Sequence, residues 1–188
     1  MVLGICKTWT ATCFSNQGGR MEDQKDHPID PAIRKSKIRE AYFSIGLGML
    51  ILLTRLVFPS LFQASGSISD ILMIIMCILV LVNGWMTYLE AKQVHIVTSM
   101  DGITYSSPGL ELCSPWENVD KIRSMPILFS RRKLDFLLLL QPAEQKSTWW
   151  SRLWNGKPEN KIPLSMFGKW RESELGQEIK KYAPHLFG

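Results

Sequence analysis

AYFSIGLGMLILLTRLVFPSLFQASGSISDILMIIMCILVLVNGWMTYL, residues 41–89, decides how the chain must be built: two long apolar runs separated by a few small polar residues. Ala41–Phe62 and Ile68–Leu89 are 22 residues each. As helices they would reach about 33 Å, enough for a bilayer core of about 30 Å. Gln63–Ser67 (QASGS) suits a tight turn and leaves no room for a domain between the runs. The stretch reads as a transmembrane helical hairpin rather than two core helices of a soluble protein.

Charge orients it, because Lys and Arg in short flanks stay on the cytoplasmic side. Arg34, Lys35, Lys37 and Arg39 precede the first span, Lys92 follows the second, and the turn carries no Lys or Arg. Tyr42, Trp85 and Tyr88 fall where interfacial aromatics belong, near that same side. Both termini are therefore expected in the cytoplasm, beneath an inner, plasma or thylakoid membrane.

Outside the hairpin the composition is ordinary. The whole chain is 46% hydrophobic with a net charge of +5, but from Glu90 onward 14 Lys plus Arg stand against 11 Asp plus Glu. So mild a surplus gives no nucleic-acid signature, though it suits anionic lipid. Cys6, Cys13, Cys77 and Cys113 show no CxxC spacing, so no zinc site or disulfide framework is expected; reduced thiols facing a cytosol are the plain reading. Residues 1–33 lack a signal-peptide core, and Val2 stands where N-terminal myristoylation needs a glycine. They read as a flexible tail, and Met21, which opens a more typical charged leader, competes with Met1 as the start. Residues 34–90 form the hairpin and 91–188 a cytoplasmic domain.

Within the spans, Arg55 stands seven residues before the outer end, close enough to snorkel, with Asp70 as its natural partner. Asn83 and Gly84 read as helix-contact residues. A different class of function, a small oligomeric transporter or channel subunit, would use Arg55, Asp70 and Asn83.

After Leu89 the pattern alternates. Gln93–Ser99 places Val94, Ile96 and Thr98 on one face; Met100–Gly102 is a hairpin turn; Gly102–Ser107 and Leu110–Trp116 continue as strands. Glu117–Arg123 fits strand or short helix, Met125–Ser130 a strand, and Leu134–Gln141 a strand central in its sheet. Residues 142–160 are an insertion, and Lys161–Phe167 the last strand. Leu175, Ile179 and Tyr182 then mark an amphipathic helix that stops before Pro184, weakened by Gly176. The fold class is α+β.

"VTSMDGITYSS", "SPWENVDKI" and "KIPLSMF", followed by a helix, resemble the bacterial pleckstrin-homology-like domains attached to paired transmembrane helices, over Gln93–Phe187. The ending "WRESELGQEIKKYAPHLFG" is similar to that of small cyanobacterial membrane proteins of this build. The resemblance implies six or seven short strands in a barrel or sandwich capped by the C-terminal helix, with Trp116 as a packing residue. It implies no activity; one version of it, by likeness to two-span photosystem assembly factors, is an accessory role in photosynthesis.

No enzyme, metal or cofactor motif is present. His27 reads as a tail residue, His95 as a strand-surface residue and His185 as terminal. The unusual segment is the insertion, where Trp149, Trp150 and Trp154 gather with Leu153, Lys146, Arg152 and Lys157. Trp150, Leu153 and Trp154 would share one helical turn. An exposed apolar cluster marks an interface: with the membrane surface first, with a membrane-protein partner or second copy next, or with its own barrel. The expected function is a non-enzymatic, membrane-anchored interaction or assembly module without a small-molecule substrate.

Overall fold

The computed structural model describes residues 24–57, 67–126, 133–148 and 160–187, with no side-chain description at 67–70 and 145. It is α+β and divides into two units: Ile29–Val94, and Met1–Pro28 with His95–Gly188.

The first unit is a pair of long helices, α1 (Pro31–Val57) and α2 (Ser67–Gln93), each of 27 residues. Both are long and apolar enough to cross a membrane, and only 11% of each apolar stretch is buried. A core helix of a soluble protein would be mostly covered. α1 starts ten residues before the apolar run. Asp30 caps it, its Oδ1 accepting from the backbone N–H of Ala32 at 2.8 Å and of Ile33 at 3.3 Å, and Pro31 takes the first helical position, where its missing N–H costs nothing. The helices meet along Ala41, Gly48, Cys77 and Gly84, all buried. A Cβ on Gly84 would stand 2.8 Å from Ile45 Cγ1 and 3.1 Å from the Ala41 carbonyl oxygen, so this approach needs a residue without a side chain. Asn83, expected in the contact, is instead exposed beside it. Lys37 and Glu90 join the helices by an ion pair of 2.7 Å.

The second unit is antiparallel β-structure. Its strands are β1 (Lys25–Pro28), β2 (His95–Thr98), β3 (Gly102–Ser107), β4 (Leu110–Pro115), β5 (Val119–Pro126), β6 (Lys133–Leu139), β7 (Glu144–Ser147) and β8 (Lys161–Pro163). One sheet has the order β1-β2-β3-β4-β7 and the other β5-β6-β8. Alternation puts Ile96, Ile103 and Leu112 on the core face of the larger sheet; Leu137 and Ile162 come from the smaller one; all five are fully buried. The amphipathic helix α3 (Glu174–Tyr182) adds Leu175 and Ile179.

Several expectations change. The reading of 1–33 as a flexible tail fails at its end: Lys25–Pro28 pairs antiparallel with β2, from Lys25 opposite Thr98 to Pro28 opposite His95. The insertion over 142–160 begins with a strand, β7, paired to β4. A short 3-10 turn, Trp116–Asn118, opens β5, so Glu117–Arg123 is both of the alternatives in succession. Lys161–Phe167 keeps strand geometry only to Pro163 and then turns through a 3-10 segment at Ser165–Phe167. β6 is central in its sheet as expected.

Aromatic residues lock α3 to the strands. The Trp116 indole donates to the Ser99 carbonyl at 2.8 Å and stacks on Tyr182 at 5.6 Å. Trp170 donates to Asp135 Oδ2 at 3.0 Å. Asp135 also accepts from the Ser124 hydroxyl, and that bond, with the indole and Arg171, holds its carboxyl below the usual range despite partial burial. Gly176 is required here: an added Cβ would sit 2.3 Å from the Trp170 carbonyl oxygen and 2.7 Å from that of Arg171.

Candidate functional site

Of the residues marked in the insertion, Lys146 lies in β7 and is exposed. Trp149, Trp150, Arg152, Leu153, Trp154 and Lys157 lie outside the described residues. The point where that segment leaves the sheet is fixed: the backbone N–H of Thr148 donates to the Gly109 carbonyl at 2.9 Å and its hydroxyl to the same oxygen at 3.3 Å. In the hairpin, Arg55 is half-buried in the last described turn of α1. The Asp70 side chain lies outside the described residues.

Register assembles a polar row the sequence did not reveal. His95 is opposite Ser106, Ser106 opposite Glu111, and Glu111 opposite Lys146. Directly paired residues share a face, so these four line one rung on the side of the sheet away from Ile96, Ile103 and Leu112. The neighbouring rung carries Asp26, Val97, Thr104, Cys113 and Glu144. Although this face is polar, Thr104, Glu111 and Cys113 are buried.

Glu111 is the chemically distinctive member. Its Oε1 is buried with no hydrogen-bond partner. Loss of solvent raises its carboxyl above the ordinary range, partly offset by Lys146 and His95. An unpaired buried carboxyl oxygen can take a donor from a bound group, or carry a proton itself.

The histidines divide between structure and surface. His27 is a buried strand residue whose Nε2 lies 3.0 Å from Thr98 Oγ1, which corrects its placement in a tail. Burial keeps its imidazole below the ordinary value, opposed by Glu174, Glu178 and Asp26. His185 Nε2 lies 3.0 Å from the Val119 carbonyl oxygen, and His95 stands half-buried on the polar rung. Among the described residues no group of three or more His, Cys, Asp or Glu side chains is placed to hold a metal ion. Cys113 is disulfide-bonded, against the reading of four reduced thiols; Cys77 is free and buried, and Cys6 and Cys13 lie outside the described residues.

Sequence reasoning missed β1, β7 and Glu111. One signal was available: Asp30–Pro31 is a helix start, which places Lys25–Pro28 against a structured element. Compared with protein-family models, curated proteins and solved structures, the chain matches none.

Proposed function

We propose that this protein is a non-enzymatic, membrane-anchored interaction module. Its two helices span a bilayer, and its β-unit, a pleckstrin-homology-like domain, presents the tryptophan-rich insertion to a membrane-protein partner or to lipid headgroups on the cytoplasmic side. The observation that carries this reading is the pairing of β1 with β2. These strands stand immediately before and after the helix pair, so a bilayer crossed by α1 must be crossed again by α2. A hairpin held at both ends by one sheet is an anchor for that sheet. The basic residues Arg34, Lys35, Arg39 and Lys92 support the cytoplasmic side. The disulfide at Cys113 is the opposing observation, since such bonds persist in oxidising compartments. An accessory role in photosynthesis rests on resemblance alone.

Reporters fused to both termini, with Ser65→Cys probed by an impermeant thiol reagent, test the arrangement. Cytoplasmic reporters and outside labelling are expected; labelling from inside only reverses the topology. Affinity purification from gently solubilised membranes then tests the interaction role, which fails if no protein or lipid is retained by the wild type and lost when Trp149, Trp150 and Trp154 become Ser.

Asn83 favours one second reading. Its exposed side chain on an apolar helix suits contact with another copy, as an oligomeric transporter using Arg55, Asp70 and Asn83 would need. Loss of function in Arg55→Leu with normal insertion and assembly would support it.

A further inference from the structure

We propose that one side of the helix pair, where α1 begins and α2 ends, is a binding site for the headgroup of an anionic phospholipid, formed by Lys35, Arg39 and Lys92 around Tyr42, Trp85 and Tyr88. The inference rests on the bilayer reading of the helices.

The aromatic residues form one group across both helices. Tyr42 and Tyr88 have ring centroids 6.1 Å apart, and Trp85 stacks on Tyr88 at 5.8 Å. Tyr42 and Trp85 remain 62% and 56% exposed, so the group packs sideways on itself and keeps an open outer surface. Aromatic residues of this kind settle at headgroup depth.

The cations border that group. Lys92 holds its ammonium 4.7 Å from the Tyr88 ring centroid, which positions the charge beside the aromatic surface. Lys35 and Arg39 precede Tyr42 by seven and three residues, which puts both within about 60° of it around α1. All three cations are exposed. The carboxylates of these turns point elsewhere. Glu40 and Glu90 are each two residues from Tyr42 and Tyr88, about 160° away around their helices, and Glu90 is bonded to Lys37 at 2.7 Å. One side of the helix pair is therefore neutralised, and the other carries three cations without a facing carboxylate from the same turns.

One turn further into α1, Gly46 is exposed, with nothing within 4 Å of where a Cβ would stand. It leaves open space beside Tyr42 on an otherwise apolar surface, where an acyl chain continuing from the headgroup can lie. A zwitterionic headgroup brings its own cation to the three already there; an anionic one does not. Charge complementarity thus selects the anionic lipid.

The test uses the full chain in nanodiscs containing equal phosphatidylglycerol and phosphatidylcholine, with each lipid brominated in turn and contact read from tryptophan quenching and from lipid retained in native mass spectrometry. The wild type is expected to enrich phosphatidylglycerol, with each cation contributing about fivefold at most. K35Q/R39Q/K92Q should lose that enrichment, while K37Q/E90Q, on the opposite side, should keep it. Equal enrichment in wild type and K35Q/R39Q/K92Q overturns the proposal. Displacement of the lipid by millimolar inorganic phosphate also overturns it, in favour of a soluble-anion site. Flotation with carbonate-washed liposomes separates the two levels: a protein that fails to float refutes the bilayer reading itself, whereas one that floats without lipid preference refutes only the site.

Discussion

The helix pair and the β-unit solve the same problem, burying apolar surface, in opposite ways. α1 and α2 bury a narrow line of small residues, Ala41, Gly48, Cys77 and Gly84, and leave Phe43, Leu50, Leu56, Ile71 and Leu72 uncovered. The β-unit buries branched aliphatic side chains such as Ile96, Ile103, Leu112 and Ile162 completely, and among its described side-chain polar atoms only Glu111 Oε1 and Ser165 Oγ are covered without a partner. The difference follows from the solvent each can tolerate. Helices satisfy their own backbone polar groups and need no neighbour for that purpose, so their outer surface can face lipid. Strands must find partners, and a sheet in water must hide one face. Even the hydroxyls reflect this: Thr54 and Thr87 donate back to the carbonyls of Leu50 and Asn83 within their own helices, while Thr98 meets His27 across two strands.

The sharpest way to break the comparison is to damage one core and watch the other. Leu112→Ala, at a fully buried position in β4, should cost the β-unit about 2–5 kcal/mol through lost transfer energy and a residual cavity. In detergent, the helical signal of α1 and α2 should outlast the loss of the β-unit's near-ultraviolet dichroism. Simultaneous melting would show that the units are not independently stable.

Gly176→Ala sets propensity against packing. Propensity alone gives a gain of about 1 kcal/mol in α3. The backbone oxygens of Trp170 and Arg171 occupy the space, so a net loss of about 1–3 kcal/mol is expected in chemical denaturation. An increase in stability would mean that the approach relaxes freely.

A smaller, pH-dependent effect should appear at β1. Burial lowers the folded-state pKa of His27 below its unfolded value near 6.5. The unfolded state therefore binds the proton more readily, so the contribution of the neutral imidazole is fully present above about pH 6.5 and declines as pH falls toward the folded pKa. Hydrogen exchange in β1 and β2 should accelerate from pH 7.5 to 5.5, after correction for intrinsic rates, and His27→Gln should flatten that trend. Glu178 is joined to Lys25 by an ion pair of 2.7 Å, so Lys25→Gln separates the charge contribution from that of the imidazole.

The smallest effect belongs to the helix pair. Arg55→Leu removes a half-buried cation from the end of α1 and should leave insertion and hairpin stability within about 0.5 kcal/mol, as measured by carbonate extraction and thermal melting. A large loss would mean that Arg55 is held by a contact essential to the pair.

Much of the architecture was readable along the chain because the relevant signals are local. Two 22-residue apolar runs leave little choice but two long helices, and alternation in Gln93–Ser99 puts Val94, Ile96 and Thr98 on the face that is buried. Leu175 and Ile179 at helical spacing declare the buried side of α3. Tertiary structure alone decided the rest. KDHP and EQKS become strands through nonlocal pairing, since four residues without alternation carry no periodic signal and β2 and β4 supply the partners. Gly176, a helix-weakening residue by propensity, is required by backbone atoms six and five positions earlier. Glu111 becomes a buried, unpaired carboxyl only once β4 lies between β3 and β7, because burial depends on which strands flank a residue and no local sequence pattern records that.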